Sequence, residues 1–158
     1  MQIKTLLALS LPGLLGLALP LQAAENMEAL KQKFIGDYEL VSFYRFPAAG
    51  GQEDTGFIGR ISYDKFGNMS ALGMPGDLPA LSAASAEPVT AGFAYWGKVS
   101  WDIGKGQVIH HVEGSPMRPD WVGGENVRYY EHDGATLKLS VKDDDGRVVA
   151  TLTWRKLR

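Results

Sequence analysis

The sequence predicts an all-β, antiparallel fold, either a sandwich or an up-and-down barrel of eight strands, preceded by one short helix. Three observations predict it. Segments with alternating apolar and polar side chains recur along most of the chain, and turn-forming clusters separate them at short, regular spacing. The 158 residues include 19 Gly and 8 Pro, enough to supply those turns. No segment between the strands reads as a long crossover helix, which argues against a parallel sheet.

The N-terminal residues 1–23 are expected to be an export signal outside the fold. Lys4 supplies a positive start, Thr5 to Leu19 is apolar, and Leu21-Gln22-Ala23 forms a small-residue cleavage site. A membrane-spanning helix wants roughly 20 apolar residues, and here Pro12 and Pro20 interrupt a shorter run. The expectation is therefore a mature domain at 24–158, periplasmic or secreted, with no stable membrane insertion once the signal is cleaved. The chain has no cysteine, so neither a disulfide nor a lipid-acceptor thiol is expected. Its net charge of −2 offers no clustered positive field for nucleic acid.

Asn26 followed by "MEALKQKFIG" predicts the helix, with Asn26 as its cap, Lys31 and Lys33 in its last turn and Gly36 as its stop. Met27, Leu30 and Phe34 recur at helical spacing and form one apolar face. Eight strands follow: Tyr38–Phe46, Gly56–Asp64, Met69–Met74, Phe93–Asp102, Gln107–Gly114, Glu125–His132, Thr136–Lys142 and Arg147–Lys156. In the second, Phe57, Ile61 and Tyr63 oppose Arg60, Ser62 and Asp64. In the fourth, Tyr95, Val99 and Trp101 oppose Trp96, Lys98, Ser100 and Asp102. In the last, Val148, Ala150, Leu152 and Trp154 form an apolar face. Two long segments rich in Pro and Gly, Pro75–Gly92 and Ser115–Gly124, are expected to flank or cover a barrel end. The first should hold a short helix near Leu81–Glu87, and Trp121 in the second should fold over the opening.

Three blocks, "GDYELVSF", "GFIGRISYDKFGNMSA" and "HHVEGSPMRPDWVGGENVRYYEHDGATLKLS", together resemble the small bacterial lipocalin-like domain family. The resemblance spans Leu30 to Lys156, and the third block is its most specific part. Wider lipocalins carry Gly-x-Trp on the first strand; Gly36-Asp37-Tyr38 stands there with Tyr in place of Trp. The resemblance implies a ligand-binding lipocalin-like barrel, the antiparallel, eight-stranded, up-and-down alternative, and it supplies no reaction. An eight-stranded barrel has room for one small ligand.

Turn geometry indicates which side chains face the interior. Asp133-Gly134 as a two-residue hairpin turn sets His132 opposite Ala135, Tyr130 opposite Leu137, Arg128 opposite Leu139 and Asn126 opposite Val141. Leu137, Leu139 and Val141 alternate with polar residues, so Asn126, Arg128 and Tyr130 should point inward with them. A buried arginine needs a counter-group. That group is either an internal carboxylate such as Glu113 or the anionic end of a ligand. Arg-x-Tyr inside a barrel is similar in geometry to the carboxylate clamp of fatty-acid-binding proteins.

Pairing Asp102 with Gln107 across "IGKG" sets Val99 opposite His110, which places His110 inward and His111 and Glu113 outward. His110 then reads as a core histidine or as a polar pocket wall. Adjacent strand residues point to opposite faces, so His110 and His111 cannot chelate one ion, and neither a metal nor a cofactor is expected. There is no nucleophile elbow, phosphate loop or HExxH, and Gly114-Ser115-Pro116 reads as a turn. The residues expected to contact ligand are Arg128, Tyr130, His110, Asn126, Glu113, Trp121 and Tyr95. Trp96, Trp101, Trp154, Tyr44 and Tyr63 serve either as further lining or as ordinary core. The reading is a barrel binding a small hydrophobic molecule, with an anionic end if Arg128 meets it. The alternative is a small cavity enzyme (isomerase, cyclase or hydrolase) using His110 and Glu113 as acid and base.

Overall fold

A computed structural model describes residues 18–77 and 91–158. Its elements are α1 (Ala18–Phe34), β1 (Gly36–Arg45), β2 (Glu53–Asp54), β3 (Phe57–Tyr63), β4 (Asn68–Pro75), β5 (Phe93–Asp102), β6 (Gln107–Gly114), a 3-10 turn (Pro119–Trp121), β7 (Glu125–His132), β8 (Thr136–Lys142) and β9 (Val148–Lys156). Strands β1 and β3 to β9 pair antiparallel in sequence order, and β1 pairs with β9 to close an eight-stranded up-and-down barrel. The two-residue β2 adds only an edge to β1. The helix expected near Leu81–Glu87 lies outside the described residues.

Helix α1 is already formed at Ala18, the first described residue, so Asn26 lies within it and does not cap it. The residues before Asn26 are mostly Ala, Leu and Gln, good helix formers that extend the element toward the N-terminus. Its C-terminal end is where the sequence placed it. Phe34 is the last helical residue, and Gly36 opens β1 at φ +142°, a value that favours glycine. Phe34 is fully buried and meets Tyr63, Trp101, Tyr130 and His132 edge-on at 5.2–5.6 Å. The helix thus closes one end of the barrel with a single aromatic plug.

Polar groups at the same end satisfy the last helical carbonyls. Tyr38 Oη donates to the Phe34 carbonyl at 2.8 Å, and Lys156 Nζ donates to that of Lys33 at 3.0 Å. His132 Nδ1 accepts the Gly134 N–H at 2.9 Å. Nδ1 is therefore the unprotonated nitrogen, and the proton sits on Nε2, which donates to Tyr38 Oη at 3.0 Å.

The β5–β6 register is the one derived from "IGKG", with Asp102 opposite Gln107 and Val99 opposite His110. The β7–β8 register differs by two residues: Tyr130 faces Leu139 and His132 faces Leu137. The hairpin closes between Asp133 and Thr136 through the Asp133 N–H to the Thr136 carbonyl, so Gly134 (φ +107°) and Ala135 form the loop. Asp133 lies before the loop, and its Oδ1 accepts the N–H groups of Ala135 and Thr136. A shift of two preserves the side-chain face, so Arg128 and Tyr130 remain inward.

Three β-bulges change faces where strict alternation does not. One at Val41 turns Val41 outward, 55% exposed, and brings Phe43 and Arg45 inward. One at Glu113, between the pairs Gly97–Val112 and Trp96–Gly114, leaves Glu113 exposed and unpaired in the ladder. At Gly97 a Cβ would come within 1.9 Å of the His111 carbonyl, so only glycine fits beside this bulge. The third, at Val149, pairs Val148 with outward Lys142; Val148 therefore leaves the inner face on which alternation had placed it.

Candidate functional site

The unplugged end opens into a cavity of about 290 Å³, near the lower limit of about 300 Å³ for small-molecule sites. Its walls are mostly apolar: Phe43, Phe57, Phe93, Leu139, Val141 and Leu152, with Trp154 and Ile61 deeper. At the mouth stand Gly92, Arg118 and Trp121, so the Ser115–Gly124 loop flanks the opening as its Pro and Gly content suggested. Ser115 serves that loop structurally. Its Oγ donates to the Ala94 carbonyl at 2.8 Å and accepts the Arg118 N–H at 3.0 Å.

Among the described residues, three arginines line this cavity and no carboxylate does. Arg45 ends β1 with its guanidinium 5.4 Å from the centre of the Phe43 ring. Arg118 lies 4.5 Å over the Trp121 ring and is paired with Asp120 at 2.6 and 3.0 Å. Arg128 sits mid-strand on β7. Its Nη1 donates to the Val127 carbonyl at 2.9 Å, and it forms no ion pair among the described residues. The expected internal carboxylate is therefore not Glu113, whose bulge holds it on the outer surface.

Behind the cavity wall lies a buried polar row. His110 is fully buried on β6, with Nδ1 2.9 Å from Tyr95 Oη and Nε2 2.9 Å from Tyr63 Oη. Burial pushes its pKa well below 6.5, and the Arg128 charge acts in the same direction, so it is neutral. Burial likewise raises the Tyr95 pKa, against the opposing pull of Arg128, and Tyr95 keeps its hydroxyl proton.

The expected contact residues therefore separate into groups. Arg128, Tyr95 and Trp121 line the cavity. Tyr130 is inward but one step toward the helix, its ring against Phe34 at 5.3 Å, and it is not part of the cavity wall. The spacing Arg-x-Tyr fixes the face but not the depth, and α1 occupies the depth at which Tyr130 sits. His110 is inward but behind Tyr95, with both ring nitrogens engaged by tyrosines. Asn126 pairs with His110 across the ladder, and its buried Nδ2 has no partner among the described residues. Glu113 is outside. His111 also faces outward, bonded to Ser100 Oγ at 2.7 Å and paired with Glu125 at 3.2 Å. The acid–base pair of the alternative reading is thus not assembled, because His110 and Glu113 lie on opposite faces of β6. Trp96 packs over Gly114 on the outer surface and Trp101 against the plug, while Trp154 belongs to the cavity.

Arg45 and Arg118 were not singled out by sequence. Arg45 comes inward only because of the bulge at Val41, and Arg118 lies in a loop whose path alternation does not describe. Among the described residues no cluster of metal-ligating side chains occurs, and no helix is long and apolar enough to cross a membrane.

A lipocalin-like domain family model matches residues 35–157, from the start of β1 to the end of β9. No curated protein sequence matches the chain. Among solved structures, a redesigned β-barrel is similar at 11% identity and a TM-score of 0.42, over 81% of this chain and 95% of that one. By the family match, which spans the whole barrel, this chain belongs to the lipocalin-like domain family.

Proposed function

We propose that the barrel binds a small hydrophobic molecule carrying an anionic group, with Arg128 as the group that meets the anion. One observation carries the reading: Arg128 lines a largely apolar cavity to which no carboxylate contributes among the described residues. A guanidinium in such surroundings is costly to leave unpaired, and a ligand carboxylate can satisfy it through two parallel hydrogen bonds. Arg45 and Arg118 at the mouth add positive charge that draws an anion toward the opening. At about 30 Å³ per heavy atom, by analogy with liquid water, the cavity holds roughly ten such atoms. Octanoate is therefore a suitable probe.

The experiment is a calorimetric titration of octanoate and of octanol, which lacks the charge. Arg128→Ala is expected to weaken octanoate by about 1.5–3 kcal/mol, the range for a hydrogen bond to a charged group, and to change octanol much less. His111→Ala, on the outer face, should change neither. Equal octanoate affinity in the wild type and in Arg128→Ala would overturn the reading.

The same proposal places the protein outside the cytoplasm, periplasmic or secreted, because Lys4, the apolar run and Leu21-Gln22-Ala23 have the order of an export signal. Cleavage after Ala23 leaves the part of α1 that carries Leu30 and Phe34, so the plug survives it. N-terminal sequencing should find a chain starting at or near Ala24, and a mature protein still carrying Met1 would contradict the assignment.

A further inference from the structure

The buried row behind the cavity has a direction. Tyr63 is 3% exposed, and its hydroxyl has one hydrogen-bonding partner among the described residues, His110 Nε2. A buried O–H left without an acceptor costs the full desolvation penalty of that donor. Tyr95 lines the cavity, where a bound group can take its proton, whereas Tyr63 does not. The arrangement that strands neither hydroxyl therefore has Tyr63 giving its proton to Nε2. Neutral His110 then carries its own proton on Nδ1. Nδ1–H donates to Tyr95 Oη, which lies 2.9 Å away. The Tyr95 hydroxyl proton is consequently not consumed by the histidine. Tyr95 lines the cavity, as do Arg128 and Trp154. Trp154 is 1% exposed, and its indole Nε1–H has no acceptor among the described residues. Every polar group identified on the inner part of the wall is therefore a donor, and an acceptor-only head group complements it.

We propose that the ligand is a monocarboxylic acid bound head-first, its carboxylate taking hydrogen bonds from Tyr95 O–H and Arg128, with His110 as the residue that orients Tyr95. This rests on the ligand-binding reading above and assigns the group to be recognised, its depth and a second binding residue. Arg128 lies mid-strand and Tyr95 is buried, whereas Arg45, Phe57 and Phe93 stand at strand ends around the mouth. A carboxylate on the first pair leaves its chain against the apolar walls on the way out. His110 does not line the cavity and acts only through Tyr95.

The decisive measurement is the tautomer of His110 in the wild-type full chain, read from long-range ¹H–¹⁵N correlation spectra at neutral pH. The expected result is a proton on Nδ1. A proton on Nε2 would overturn the proposal, because Tyr95 would then donate to Nδ1 and have no proton for the ligand. The second measurement is octanoate binding to Tyr95→Phe, checked for folding by its thermal transition. Affinity should fall roughly tenfold or more, the loss of one hydrogen bond to a charged group. If wild-type protein binds no octanoate, the ligand-binding reading fails and this inference with it. If binding depends on Arg128 but Tyr95→Phe leaves it unchanged, only this inference fails. If Tyr95→Phe does not fold, the tautomer of the wild type decides alone.

Discussion

Phe34→Ala should cost about 3–5 kcal/mol of folding stability, the range for truncating a fully buried phenylalanine. The ring has four aromatic neighbours and no exposed surface, and these neighbours sit on β3, β5 and β7, which the barrel cannot bring closer without breaking ladder bonds. The gap should therefore stay open, which places the cost in the upper part of that range. Against a typical total of about 5–15 kcal/mol, the variant would be marginal. Urea unfolding midpoints of the two proteins measure the difference. A loss under about 1 kcal/mol would mean that α1 merely rests on the barrel and does not plug it.

Acid should weaken the fold well before the carboxylates titrate. Burial, with the charges of Lys33 and Lys156, brings His132 down to about 4, and burial takes His110 well below 6.5. In the unfolded chain both regain a value near 6.5. Between those limits the unfolded state binds the protons more readily, so stability falls as pH falls. The His132 contribution is fully present above about 6.5 and lost as pH drops through about 4. At full weight that displacement corresponds to roughly 3 kcal/mol, and toward 2 kcal/mol because the ring is only partly buried. Protonated His132 also loses its capacity to accept the Gly134 N–H. Asp64, Asp102 and Asp133 are held below the usual carboxylate range chiefly by hydrogen bonds from Asn68, Lys105 and Thr136, so their loss comes at lower pH. Urea midpoints taken from pH 7 to 4 should decline in the wild type and less steeply in His132→Gln. A flat wild-type profile down to pH 5 would contradict the assignment.

Much of this barrel was legible because side-chain alternation fixes faces. The eight barrel strands, the inward position of Arg128 and His110, and the outward position of His111 all follow from apolar alternation plus two turns. The Asp102–Gln107 pairing is the one derived by placing "IGKG" in the loop. Asp-Gly misled by two residues because the turn is centred on Gly134-Ala135, yet an even shift leaves the faces intact. Depth along the barrel was not legible. Arg128 and Tyr130 share a face, but α1 fills the space at Tyr130 and leaves it empty at Arg128. The bulges at Val41, Glu113 and Val149 were equally hidden, since one extra residue in a strand has no compositional mark. They move Phe43 and Arg45 into the cavity wall and Val148 out of it. The Tyr95–His110–Tyr63 row needed three strands to be placed relative to one another, which local pattern does not provide.

An anion is proposed to enter this barrel and come to rest on Arg128. A crystal structure of the wild-type protein grown with octanoate tests it most directly. The expected result is the carboxylate within hydrogen-bond distance of both Arg128 and Tyr95 Oη, with the hydrocarbon chain running past Leu152 and Phe93 toward Trp121. An octanoate held at the mouth by Arg45 or Arg118, with the space beside Arg128 left empty, would contradict it.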